Sequence, residues 1–226
     1  MRFLEAIGAN TRLALVGALV LSLIAPERAV PYQTSLDAKA IEAAYLLGER
    51  NDGTTADFMA RYIWQATAEG ADGLHRAEVE LLTPFLQVMD RARDNSRGYS
   101  VEQAKTDYRT RGDSIVIRIS LVLPANYPAP SGSATAPCDN TALLPQNFWK
   151  NFAFIVKQRG KRIEARSVKN EPIYSAASED RPSRLDGAEV TLEFDAKSVA
   201  SDTIAVEIVT PRCATLTATF DLARLR

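Results

Sequence analysis

The sequence predicts an α+β fold: a mainly antiparallel β-sandwich of about seven or eight strands, with an N-terminal helical hairpin and one short inserted helix. Three observations carry this expectation. The stretch from Ala188 to Arg226 holds three runs that alternate apolar and polar residues with a period of two. Ser114 to Leu123 alternates in the same way and is more apolar. Upstream of both, Ile41, Ala44, Tyr45 and Gly48 recur at helical spacing. Period two is the signature of a strand with one face to bury, and a spacing of three and four that of a helix with an apolar stripe.

In the C-terminal runs, Val190, Leu192 and Phe194 oppose Glu189, Thr191 and Glu193, and Ile204, Val206 and Ile208 oppose Ala205, Glu207 and Val209. Leu216, Ala218, Phe220 and Leu222 then oppose Thr215, Thr217, Thr219 and Asp221. Short turns between them predict an antiparallel meander. A sheet with one apolar face needs a covering layer, and the rest of the chain must supply it.

Taken in order, the chain opens with an export signal. Leu13 to Ala25 runs thirteen residues without a charge after Arg2 and Arg12. That is the length of a signal-peptide apolar region and falls short of the roughly 20 residues a spanning helix needs. Cleavage is expected after Ala25 or Ala29, leaving residues 30–226 as one domain: a helical cap over 30–70 and a sandwich over 77–226. An uncleaved segment would instead tether the protein to the membrane.

Ser35 is placed to cap a first helix, with Asp37 in its first turn, and Asn51-Asp52-Gly53 marks its end. Thr54 or Thr55 caps a second helix whose apolar face is Phe58, Met59, Tyr62 and Ile63. Glu78 to Met89 reads as extended, bent or at an edge because of Pro84, and Arg91 to Gly98 as a charged turn. Ser100 and Gln103 form a capping box for the short inserted helix. Ser114 to Leu123 buries Ile115, Ile117, Ile119, Leu121 and Leu123, and its half-apolar reverse face marks a central strand. Pro124 to Pro137 is a long surface loop. Asn151–Lys157 and Arg162–Ser167 flank a hairpin turn with Gly160 free to take a positive φ. A loosely structured, acidic segment over Ser178–Gly187 leads into the C-terminal strands.

Composition narrows the function. With 46% apolar and 24% charged residues and a net charge of −1, no bulk electrostatic attraction to nucleic acid is present. The single histidine, His75, lies in a loop, so any serine or cysteine triad would have to use it. No GxSxG elbow, phosphate loop or dinucleotide fingerprint occurs. One histidine and two distant cysteines do not make the usual zinc sites. No metal or other cofactor is therefore expected. In an oxidising compartment the two cysteines, Cys138 and Cys213, are expected to pair. Closing so long a loop stabilises by about 4 kcal/mol on the chain-entropy account.

The one local charge anomaly surrounds Gly160. Lys157, Arg159, Lys161, Arg162, Arg166 and Lys169 stand against Glu164 alone. An anion-binding or partner-binding edge and a merely solubilising one both fit this pattern. Trp149 and the Pro124–Pro137 loop are the neighbouring candidate contacts.

The string Ile41 through Gly48-Glu49-Arg50-Asn51-Asp52, the Leu82-Thr83-Pro84-Phe85 stretch, the Gly98-Tyr99-Ser100 helix entry and the closing Phe220-Asp221-Leu222 resemble a group of exported bacterial proteins with no assigned activity. The likeness spans most of the mature chain and implies secretion and tolerance of a disulfide, with no catalytic residues. The sequence thus leads to an exported, periplasmic or extracellular, non-enzymatic binding protein whose partner is an envelope component or protein. A carboxylate-dependent hydrolase acting on envelope polysaccharide is the alternative, since that chemistry needs only two acids at a set separation.

Overall fold

The computed structural model describes residues 32–67, 74–95, 97–124, 147–175, 184–211 and 213–226. The expected export signal, the Pro124–Pro137 stretch beyond Pro124 itself, Cys138 and most of the acidic stretch after Ser178 lie outside them.

Two antiparallel sheets form the sandwich. The first has five strands in the order β1 (Ile63–Thr67), β2 (Arg76–Leu82), β3 (Ser114–Val122), β7 (Leu185–Asp195) and β6 (Ser167–Tyr174). The second has four, β5 (Lys161–Ile163), β4 (Ala153–Gln158), β8 (Thr203–Val209) and β9 (Thr215–Asp221). As the alternation requires, Ile115, Ile117, Ile119 and Leu121 of β3 are fully buried. They pair across the register with Phe194, Leu192, Val190 and Ala188 of β7 and, for the last three, with Leu81, Val79 and Ala77 of β2. Ile204, Val206 and Ile208 of β8, with Val156, Ala218 and Phe220, supply the facing layer from the second sheet.

The C-terminal strands therefore do not form one meander. β7 belongs to the first sheet and the β8–β9 hairpin to the second. Between them a 3-10 turn, Ala196–Ser198, capped by the Asp195 carboxylate on the Lys197 N–H, redirects the chain. Ala196 is itself held, its carbonyl by the Tyr32 hydroxyl at 3.1 Å and its N–H by the Asp113 carbonyl. Alternation gave the faces of all three strands and was silent about which sheet each joins.

Pro84 carries a second correction. Glu78–Met89 is not one strand, because β2 stops at Leu82 and helix α3 (Pro84–Asp94) begins. Thr83 is its N-cap, its hydroxyl accepting the Leu86 N–H, and Pro84 occupies the first turn, where no N–H is needed. Of the expected charged turn over Arg91–Gly98, the first four residues are the end of this helix, which stops at Asp94. Helix α1 spans Ala38–Arg50 with Asp37, not Ser35, as its cap. Helix α2 is short, Gly53–Ala60, capped by Asp52, and the chain turns into β1 after Tyr62. Helix α4 (Val101–Arg111) is capped by Ser100 as expected.

Helix α1 packs most extensively on α3, then on α4. Gly48 allows this: a Cβ there would stand 2.1 Å from the Met89 carbonyl oxygen. The tail closes the other side, where the Tyr62 hydroxyl donates to the Arg226 carbonyl and accepts its N–H, at 3.1 and 2.9 Å. Thr83 donates to the same carbonyl, and the Arg226 guanidinium lies over the Phe85 ring. Tyr62, buried there, has its hydroxyl pushed up to about 12, chiefly by burial.

Alanine has about 1 kcal/mol higher helix propensity than glycine, yet Gly48→Ala is expected to lose about 1–3 kcal/mol, because the added methyl overpacks the α1–α3 contact. Urea unfolding measures it, and a raised midpoint would show that the two helices are not in contact there.

Candidate functional site

The basic hairpin forms, but its second arm is shorter than the expected Arg162–Ser167: β5 ends at Ile163, and Ser167 already begins β6 of the first sheet. Arg159 and Gly160 both take left-handed backbone, φ 51° and 73°, the two-residue turn whose twist matches that of the strands it joins. The Lys157 ammonium donates to Glu207 at 2.7 Å, reaching diagonally from β4 to β8. Arg159 bonds Asp202 at 2.8 Å and Arg162 meets Glu164 at 2.9 Å. The hydrogen bond from Arg159 holds the Asp202 carboxyl below its ordinary range. Lys161, Arg166 and Lys169 are exposed and make no ion pair among the described residues. The cationic surplus is thus smaller than the sequence alone suggests, but it survives. Exposed pairs of this kind contribute about 0–1 kcal/mol, so their arginines and lysine remain free to exchange partners.

Trp149 is not part of that surface. It is 6% exposed and packs edge-on against Phe148 at 5.6 Å, within the sandwich core. His75 is exposed, its backbone N–H bonded to the Val122 carbonyl. Cys213 sits in the β8–β9 turn with φ 66°, and its N–H donates to the Thr210 carbonyl. Its expected partner, Cys138, lies outside the described residues. Among the described residues no three of His, Cys, Asp and Glu gather as a metal-binding group, and no helix is long and apolar enough to cross a membrane.

A second cluster escaped the sequence reading. On the outward face of the first sheet, Arg118 of β3 lies opposite Glu80 of β2 and donates to it at 2.7 Å; Glu189 of β7 is 3.6 Å from the same guanidinium. Asp90 of α3 accepts from Arg93, one turn on, at 2.5 Å, and Arg93 also donates to the Met59 sulfur. Both carboxyls are pushed up from their ordinary values, first by burial. Arg118 opposes the shift at Glu80 and Arg93 at Asp90. The charge of Asp90 raises Glu80 further. Cross-strand register would have paired Glu80 with Arg118 had β2 been ended at Leu82. Asp90 and Arg93 become neighbours only once α3 is recognised as a helix. Chemically, each acid is already held by an arginine, so the group is an ion-pair network before it is an acid–base couple.

No family model, curated protein or solved structure matches the chain.

Because the folded-state value of Glu80 is raised, its contribution favours folding below the ordinary glutamate value of 4.5 and is lost as pH rises through the raised value. The melting temperature of Glu80→Gln relative to the native chain is therefore expected to climb between acid and neutral pH. The opposite trend, with the variant most harmful at neutral pH, would show that the Arg118 pair outweighs burial.

Proposed function

We propose that this chain is an exported, non-enzymatic binding protein that holds an anionic envelope component at the β4–β5 hairpin. The observation that carries the reading is the exposed turn at Arg159-Gly160 with Lys161 beside it, followed past β5 by Arg166 where the chain joins the first sheet; both cations are exposed and without a carboxylate partner among the described residues. A fixed turn presents those charges at low entropic cost, because the backbone carrying them is already ordered by the pairing of β4 with β8. Export rests on the charge-free run Leu13–Ala25, on the even cysteine count, for which we propose a Cys138–Cys213 bridge, and on the resemblance to exported bacterial proteins.

The carboxylate-dependent hydrolase is the second reading. One observation favours it: Glu80 and Asp90 are half-buried acids with raised proton affinity, and the charge of Asp90 contributes to the rise at Glu80. It ranks second because Arg118 and Arg93 already occupy them. Cleavage of envelope polysaccharide that is lost in both Glu80→Gln and Asp90→Asn would reverse that order.

The binding reading is tested on a heparin column at low ionic strength, with heparin standing in for an anionic polymer. The mature protein is expected to be retained, and Lys161→Glu/Arg166→Glu to elute at distinctly lower salt. Equal elution of the two, each folded by circular dichroism, would remove the hairpin from the account. Intact mass of envelope-fraction protein, lacking the first 25 or 29 residues and alkylated only after reduction, is the expected mark of export.

A further inference from the structure

Edge strand β6 raises a question that the hairpin does not answer. Among the described residues β6 pairs with β7 on one side and with no strand on the other. It is exposed almost throughout, and it holds three of the four large exposed apolar residues found there: Val168 at 56%, Tyr174 at 51% and Ile173 at 38%. An edge of this kind offers unpaired backbone groups to another strand.

The register says which groups these are. Pro172 lies opposite Ala188, and having no N–H it occupies a position that does not bond β7. The Arg166 N–H reaches the Glu193 carbonyl where Ser167 is the register partner, so a small bulge precedes the strand, with Ser167 at a bonded position. Alternation then turns the N–H and carbonyl groups of Val168 and Asn170, and the carbonyl of Pro172, away from β7.

Charge selects the occupant. Within one molecule Glu171 lies directly opposite Glu189, a like-charge pair, and Lys169 opposite Thr191. Neither Lys169 nor Glu171 has an ion-pair partner among the described residues. A second copy pairing antiparallel about Asn170 sets Lys169 opposite Glu171 of the other chain, twice by symmetry. It also seats Val168 against Pro172. A shift by two residues in either register sum places Lys169 opposite Lys169, or Glu171 opposite Glu171, so one alignment is favoured and its neighbours are penalised. The Val168 and Asn170 N–H groups donate across the two-fold, to the Pro172 and Asn170 carbonyls of the other copy. Pro172 removes only its own donation.

We propose that two copies of this chain associate through β6, antiparallel about Asn170, joining their five-stranded sheets into one. The interface is isologous, as a two-fold dimer requires. It is separate from the hairpin reading, since it uses the β6 edge and neither Lys161 nor the Arg159-Gly160 turn.

Sedimentation velocity of the mature chain across a concentration series provides the test. A reversible dimer is expected. Lys169→Glu alone and Glu171→Lys alone each place like charges opposite at two symmetric sites, and each is expected to weaken the dimer about tenfold. The double exchange Lys169→Glu/Glu171→Lys is expected to restore it. Asn170→Pro, which removes an outward N–H and leaves the β7 ladder its donors, is expected to give a folded monomer. A chain that stays monomeric at its highest soluble concentration would overturn the proposal and leave the edge to a foreign strand. A dimer indifferent to all four variants would overturn it as well, by placing the contact elsewhere.

Discussion

The pairing of β3 with β7 is the constraint on which the rest of the structure depends. Their register runs unbroken from Ser114 opposite Asp195 to Val122 opposite Gly187. It sets one wholly apolar face toward the second sheet and one charged face outward. The close approach at its far end needs Gly187, since a Cβ there would stand 2.3 Å from the Leu121 carbonyl oxygen. At its near end the turn after Asp195, the N-terminal lead-in through Tyr32, and Asp113 just before β3 are tied together by hydrogen bonds. The helices gather about this end, where α4 delivers the chain into β3 and Gln87 of α3 donates to the Ser114 carbonyl.

A central pair fixes what can lie at the margins. The chain enters β7 from β6, and β6 from the β4–β5 hairpin of the other sheet, so the edges made by β5 and β6 are consecutive in sequence. At β6 the alternation continues but the cover does not: Val168, Asn170 and Pro172 share the inward face of Leu192, Val190 and Ala188 and are nonetheless exposed. Both surfaces assigned a binding role, the cationic turn and the β6 edge, follow from this one crossing. Protective features are present as well, in Pro172 and in the lysines and arginines that discourage indiscriminate edge pairing. The self-complementary placement of Lys169 and Glu171 is what separates one permitted contact from the many excluded ones.

Much of this architecture was legible in the sequence, because strand faces follow from period two and helix faces from a spacing of three and four. Ile115 to Leu121, Val190 to Phe194 and Ile204 to Ile208 could be assigned inward before any topology was known. Their distribution between two sheets could not, since it depends on the turn at Ala196–Ser198 and not on the strands. Pro84 misled because a proline that ends one element also suits the first turn of the next. Thr83 before it was the capping signal. Strand β6 was invisible for the opposite reason: Ser167–Tyr174 buries almost nothing, so no hydrophobic alternation marks it. Of the candidate contacts, the hairpin turn at Gly160 and its cations were readable directly. Trp149 was not, because an aromatic residue beside a loop suits a core as well as a surface.

The free edge of β6 is the central claim, and amide hydrogen exchange reads it directly. The Val168 and Asn170 amides, which face away from β7, are expected to exchange rapidly in dilute solution and to become protected as protein concentration rises, while the β3 amides stay protected throughout. Rapid exchange of both at every concentration would contradict pairing through this edge. Protection of both amides at a concentration where sedimentation shows only monomer would show that the edge is not free in a single molecule.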